Sequence, residues 1–206
     1  MILTTTNLHS KLFPSFIWKG DEKNIYLTLD DGPHPEATQS VIEVLDKNKI
    51  KATFFLIGNN IIKYPNLVST LVSEGHTIAN HSYSHNRTTS LSFSKLKNEL
   101  KNTDDLLLAH SILRVKLYRP PYGFFTWNTK NVATQLDYKV CMWTLLSGDF
   151  YGWDKDKIIN HTINNITNGS IIVFHDNEKT KNVISQTLQE IIPRLVDLGY
   201  KFSAIK

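Results

Sequence analysis

Cysteine is almost absent from this chain. Cys141 is the only one in 206 residues, so no intrachain disulfide can form and a buried apolar core must hold the fold. It sits in the run Val140-Cys141-Met142-Trp143, where a free thiol behaves as a small buried hydrophobe. Long hydrophobic runs are missing too. The stretch Leu12 to Trp18 is far short of the roughly 20 residues that a helix needs to cross a bilayer, so no membrane span is expected. Met1-Ile2-Leu3 runs into threonines without the basic start and apolar segment of an export signal. The expectation is therefore a soluble, cytoplasmic protein. No dense Lys/Arg patch with interleaved aromatics occurs, which argues against nucleic acid as a partner. The formal net charge of +4 reads as a mildly basic solvated surface. There is no repeat, low-complexity tract or interdomain linker, and a monomer is the favoured state.

What remains is ordinary globular material, 41% hydrophobic and 20% charged, in a length that suits a single α/β domain with a full core. Apolar runs alternate with amphipathic stretches, the pattern of a sheet wrapped by helices. The runs predict strands at Ile25 to Leu29, Ala52 to Ile57, Thr77 to Ala79, Lys116 to Tyr118, Lys139 to Trp143, Ser170 to Phe174 and Lys201 to Ile205. Helical spacing is read from Val41, Ile42, Val44 and Leu45 within Ala37 to Lys47, and from Leu67, Val68, Leu71 and Val72 within Asn66 to Glu74. Ser94 to Ala109 and Thr180 to Asp197 read as longer helices of the same kind.

The run Tyr26-Leu27-Thr28-Leu29-Asp30-Asp31-Gly32-Pro33 delivers two adjacent carboxylates from a strand into a turn. Neighbouring carboxylates repel, so something must hold them there. A divalent metal would do so, binding one and leaving the other free as a base; the blander account is an Asx-type turn. His81-Ser82-Tyr83-Ser84-His85 places two imidazoles at i and i+4, which on a helical turn would share one face. Two histidines and one carboxylate leave an open coordination position, as in a catalytic rather than a structural zinc site. Three further strand ends stand out: Tyr118-Arg119-Pro120-Pro121-Tyr122-Gly123, Leu146-Ser147-Gly148-Asp149-Phe150, and Gly169-Ser170-Ile171-Ile172-Val173-Phe174-His175-Asp176. All five fall at the C-terminal ends of predicted strands, where parallel α/β barrels gather their sites.

In order and spacing these five segments resemble the motifs TFDDGP, H(S/T)xxH, RxPYG, DxxDW and LxLxH of the polysaccharide deacetylase family, also called the NodB-homology or carbohydrate esterase family 4. The resemblance spans roughly residues 24 to 206. It implies a distorted (β/α) barrel of about seven parallel strands, with a catalytic domain over 21–206. The preceding N-terminal segment, 1–20, is expected either to pack across the closed end of the barrel or to form an unstructured arm. The resemblance further implies a metal-dependent N-deacetylase that releases acetate from N-acetylglucosamine-type carbohydrates. By resemblance Asp31, His81 and His85 are the metal ligands and Asp30 is the base. His175 is the acid, Arg119 orients Asp30, Asp149 supports His175, and Tyr122 offers its backbone N–H to the oxyanion. The ion is expected to be zinc, with cobalt, nickel and manganese as alternatives. The fourth motif departs from the family, with Leu146 at its first acidic position and Phe150 in place of Trp. The sugar-facing wall is then assigned to Tyr122, Phe150, Trp153 and Val173. Hydrolysis of O-acetyl esters or a non-sugar amide, and carbohydrate binding on a retired scaffold, are the competing readings. His34 and His76 are read as structural or solvent-facing.

Overall fold

The computed structural model describes residues 7–110 and 116–206. The expectations for Met1 to Leu3 lie outside these residues. Seven strands, β1 (Tyr26–Asp30), β2 (Thr53–Leu56), β3 (Thr77–Asn80), β4 (Leu117–Tyr118), β5 (Lys139–Val140), β6 (Leu145–Leu146) and β7 (Ile171–His175), form one sheet. Every pairing is parallel, in the order β5-β4-β3-β2-β1-β7-β6. The helices are α1 (Asn7–Leu12), α2 (Ala37–Lys47), α3 (Gly58–Lys63), α4 (Pro65–Ser73), α5 (Phe93–Leu108), α6 (Trp127–Gln135), α7 (Lys155–Asn165) and α8 (Ile184–Asp197).

That strand order forces the sheet to curl. β5 and β6 occupy opposite edges, yet only residues 141–144 separate them. Five residue steps reach at most about 17 Å, so the two edges must approach one another and the sheet becomes a barrel with one open seam. Residues 13–20 run along that seam. Ile17 accepts a hydrogen bond from the Met142 N–H and donates one to the Val140 carbonyl, each 2.8 Å, and Gly20 N–H reaches the Gly169 carbonyl at 2.9 Å. Phe13, Phe16 and Trp18 are buried there against the ring of Phe125.

Side chains alternate along each strand, and this alternation carries the functional residues inward. On β1, Leu27 and Leu29 join the core shared with the outer helices, while Tyr26, Thr28 and Asp30 point the other way. On β7, Ile172 and Phe174 take the outer core and Ile171 and Val173 the inner one. β1 and β7 pair with Asp30 opposite His175, so a carboxylate and an imidazole emerge side by side at the barrel mouth.

The structure corrects several expected elements. The apolar run Lys139 to Trp143 is not one strand: β5 stops at Val140, Met142 turns to Ile17, and β6 starts two residues after Trp143. Lys201 to Ile205 does not form a strand either. It pairs only around Ile25, through Ile25 N–H to Lys201 O and Ser203 N–H to Ile25 O, before Ile205 N–H turns to the Thr53 hydroxyl at 2.9 Å. The last helix begins at Ile184 rather than Thr180, because Thr180 ties the preceding loop to the His175 carbonyl.

One histidine couples the core to pH. His76 is buried, 6% exposed, and its Nδ1 accepts the Ala52 N–H at 3.2 Å, so the proton sits on Nε2, which has no partner among the described residues. Burial first, and then the Lys51 charge, push its pKa from 6.5 down to about 4. Between those values the unfolded chain binds the proton that the folded chain refuses, so stability falls as pH drops. The slope should approach about 1.4 kcal/mol per pH unit from this group alone and level off below pH 4. His76→Asn keeps an acceptor for Ala52; denaturant titrations from pH 7 to pH 4 should show it losing this part of the acid sensitivity. Identical slopes in both proteins would rule His76 out as the cause.

Candidate active site

Asp30 leaves β1 inside the barrel, 4% exposed. Its Oδ1 accepts a hydrogen bond from Arg119 Nη1 at 2.7 Å. Arg119 is fully buried, and its guanidinium also donates to Thr28 Oγ1 at 2.7 Å and to the carbonyls of Cys141 and Met142. The ring of Phe55 lies 4.0 Å from its central carbon. A cation this enclosed is tolerable only because its N–H groups are occupied and a carboxylate balances its charge.

Asp31 follows in the turn and takes different partners. Its backbone is left-handed at φ 77, the region that L residues other than Asn and Asp visit least. The turn then passes so close to Asp176 that a Cβ on Gly32 would stand 2.3 Å from that carboxylate, which only glycine permits. Asp31 Oδ1 lies 3.0 Å from His85 Nε2 and 3.4 Å from His81 Nε2. Burial by itself would raise the Asp31 carboxyl, but the two imidazoles hold it well below the usual carboxylate range. The repulsion in the Asp-Asp pair is thus relieved by splitting the partners, arginine for one and histidines for the other.

The two histidines meet without a helix. Residues 81–86 form a loop, with Ser82 at φ 65 and His85 at φ 54, so the i, i+4 helical face expected from their spacing is not what aligns them. Glu99 of α5 instead grips the loop between them, accepting from the N–H groups of Tyr83 and Ser84 and from the Ser84 hydroxyl at 2.7–2.9 Å. His81 Nδ1 lies 2.7 Å from the Arg119 carbonyl. A carbonyl can only accept, so Nδ1 carries the proton and Nε2 presents its lone pair, the arrangement of a metal-ligating imidazole.

Asp31, His81 and His85 are the set of three metal-capable side chains found among the described residues, their ligand atoms all within 4.8 Å of one another. Bonds of about 2.0–2.1 Å place neighbouring ligands of a small divalent ion about 3.0–3.4 Å apart. The separations from Asp31 Oδ1 to the two imidazoles fit that spacing, and the donor chemistry is that of zinc or a similar metal.

Opposite Asp30, His175 is held by both oxygens of Asp149. Its backbone N–H donates to Oδ2 at 2.6 Å and its Nδ1 pairs with Oδ1 at 2.9 Å, leaving Nε2 as the proton-bearing edge. Burial works against the imidazolium, but Asp149, with smaller contributions from Asp31 and Asp30, lifts the pKa to about 9. A cation bound at Asp31 would offset the Asp31 share.

Asp30, Asp31, His81, His85 and His175 line one cavity of about 150 Å³, together with Tyr122, Gly123, Trp143, Leu146, Phe150, Val173, Asn177 and Lys179, while Arg119 and Asp149 support it from behind. Tyr122 sits in a left-handed turn at φ 58, its ring 4.7 Å from that of His85. Phe150 lies beside His175 at 5.3 Å. Trp153 is not at the wall: it stacks on Tyr151, meets His161 edge-on and is covered by Lys157, because the left-handed Gly148 and Gly152 fold the loop back onto α7. Trp143 takes a place in the wall. It was hidden in the sequence as one more apolar residue of a strand run, and its pairing with Gly123, whose Cβ would meet the indole at 2.2 Å, joins segments far apart in the chain. Asn177 was equally unmarked, although it lies two residues beyond His175. His34 pairs with Glu178 at 2.9 Å, outside this cavity.

The mouth of this parallel barrel brings together two carboxylates, two imidazoles and a supported histidine, and comparison with known proteins assigns its lineage. The profile of the family described as polysaccharide deacetylase matches residues 18–141, and the chain belongs to that family. It is 33% identical over 183 residues to a peptidoglycan-N-acetylglucosamine deacetylase of Bacillus cereus, covering 88% of this chain and 66% of that protein. Some curated relatives are longer still, and the chain spans only 38% of their length. Among solved structures, the Bc1960 peptidoglycan N-acetylglucosamine deacetylase superposes with a TM-score of 0.91 at 30% identity, over 98% of this chain and 95% of that one. BA3943 of Bacillus anthracis, described as a CE4 family pseudoenzyme, superposes at 0.84 with 26% identity, over 92% and 66% respectively. The seven-stranded parallel barrel expected from the motifs is thus the fold of its structural relatives.

Proposed function

We propose that this chain is a metal-dependent carbohydrate N-deacetylase acting on N-acetylglucosamine-type substrates. The observation that carries the reading is the placement of Asp30 and His175 in register on adjacent strands, with Asp31, His81 and His85 beside them in the same cavity. A divalent ion bound there would supply Lewis acidity, polarising the amide carbonyl and lowering the pKa of water.

The chain's own residues do the rest. Asp30, oriented by Arg119, takes a proton from the attacking water as the C–O bond forms. His175 donates its Nε2 proton to the departing nitrogen as the C–N bond breaks, giving acetate and a free amine. The backbone N–H of Tyr122 is the group assigned to the developing oxyanion. The apolar side chains of Trp143, Leu146 and Val173 suit an acetyl methyl. A cavity of about 150 Å³ accommodates a guest of about benzene size, so it takes the acetamido group and leaves the sugar ring outside, near Phe150 and Tyr122. The family's relatives named for peptidoglycan and for chitooligosaccharides support a β-linked N-acetylglucosamine backbone as the substrate class.

Acetate release should be measured on N-acetylglucosamine oligomers, peptidoglycan and O-acetylated sugars. The expected result is one bound divalent ion per chain, turnover on the N-acetyl substrates, and its loss with a chelator or in His81→Ala. Glycan binding with no acetate release by the metal-loaded protein would overturn the reading in favour of a retired scaffold, as BA3943 is described.

A further inference from the structure

Asp31 is held at three points, and two of them come from asparagines that the catalytic reading does not use. Asn60 Nδ2 donates to the Asp31 carbonyl at 2.8 Å, bracing the left-handed backbone. Asn177 Nδ2 donates to Asp31 Oδ2 at 2.7 Å. The third hold is the pair of imidazoles, which share the other oxygen, Oδ1.

We propose that Asn177 is a positioning residue for the metal centre: its hydrogen bond to Asp31 Oδ2 fixes the rotation of the carboxylate, so that Oδ1 is the oxygen presented to a cation beside the imidazoles. The proposal rests on the metal-site reading above and goes beyond it by naming what fixes the binding mode of its one carboxylate.

The orientation of the Asn177 amide is not arbitrary. Its Oδ1 accepts the backbone N–H groups of Lys179 at 2.9 Å and Thr180 at 3.3 Å, forming an Asx-type turn. Flipping the amide would set its NH₂ against two N–H donors and its oxygen against the Asp31 carboxylate. The turn therefore forces the NH₂ toward Asp31. Thr180 locks the same turn from below by donating to the His175 carbonyl, so the loop that carries the acid also aims the ligand.

An unrestrained carboxylate can swing to chelate a divalent ion through both oxygens, whereas a charge-assisted hydrogen bond to one oxygen fixes the carboxylate's rotation and draws on that oxygen's charge, so chelation is disfavoured. Monodentate binding leaves more of the ion's coordination positions for water and substrate, the open-site condition of a catalytic metal. Groups that orient a ligand in this way typically alter metal affinity 10- to 100-fold when removed.

The test compares the wild type with Asn177→Ser and Asn177→Ala. Serine keeps an oxygen that can accept the Lys179 N–H but carries no donor able to reach Asp31, whereas alanine loses both. Zinc affinity is read by chelator competition and coordination by the visible absorption of the cobalt(II)-loaded protein. Both variants should bind zinc about 10- to 100-fold more weakly. Their cobalt spectra should lose intensity as the freed carboxylate raises the coordination number, while metal-free Asn177→Ser should unfold at the wild-type midpoint. Wild-type affinity with an unchanged cobalt spectrum in Asn177→Ser would overturn the proposal while leaving the metal site intact. Failure of the wild type itself to bind zinc would overturn the metal site and this inference together. Should Asn177→Ala fail to fold, Asn177→Ser carries the comparison.

Discussion

Asp30→Asn is expected to reduce acetate release by at least about 100-fold, within the range that a positioned general base contributes, while zinc occupancy stays at the wild-type level. Asparagine has nearly the shape of aspartate but cannot accept the water's proton. The proposed ligand set of Asp31, His81 and His85 does not include it, so metal binding should survive. The same substitution has a second consequence. Arg119 is fully buried and loses its balancing carboxylate, and breaking a buried ion pair from one side costs about 3–5 kcal/mol. The variant should therefore melt at a lower temperature than the wild type, and its turnover must be assayed well below that midpoint. Calorimetry, metal analysis and acetate release on the same preparation separate the two effects. Activity within tenfold of wild type in a folded, metal-loaded Asp30→Asn protein would mean that another group removes the proton.

His175→Ala is expected to show the second largest effect, and its size should depend on the leaving group. An amide nitrogen must be protonated to depart, so turnover on N-acetyl substrates should fall by about two to four orders of magnitude. An activated aryl acetate leaves without that proton and should be hurt far less. Equal losses on both substrates would make His175 structural. The pH profile supplies the sign. An acid works only while protonated, so the rate should fall as pH rises through the His175 pKa, which stands at about 9 with Asp149 in place and lower once a cation sits on Asp31. Asp149→Asn removes the main support of the imidazolium, so the alkaline limb should move toward lower pH. A limb that does not move would separate that limb from His175.

Much of this site was legible in the sequence, because its parts lie at strand ends and strand ends are marked by short local signals. The Asp-Asp-Gly-Pro turn, the paired histidines and the strand ending on His175 each declare themselves within about ten residues, the range over which hydrophobic periodicity and turn chemistry act. Helix α2 and the first three strands were readable for the same reason: each buries a regular stripe or a continuous run. The alignment of His81 and His85 was misread. Their spacing satisfies a helix, but Glu99, supplied by α5, stabilises a loop with left-handed residues instead. The weakest readings fell at the barrel's seam, where strands of two residues owe their existence to the partner beside them rather than to any pattern of their own.

The sequence by itself determined which chemical groups are present, in what order, and that they end strands of a parallel α/β sheet. Local physics suffices for that. The tertiary structure alone decided which of those groups touch. Asp30 stands opposite His175 because β7 inserts beside β1, and Arg119 reaches Asp30 only because the sheet curls enough to bring β4 across the barrel interior. Asn177 meets Asp31 across 146 residues of chain, and Trp143 rather than Trp153 enters the wall because two left-handed glycines turn the loop away. Contacts between distant segments follow from strand order and closure of the barrel, which are set by the burial of the whole core at once and leave no mark in any single stretch of sequence.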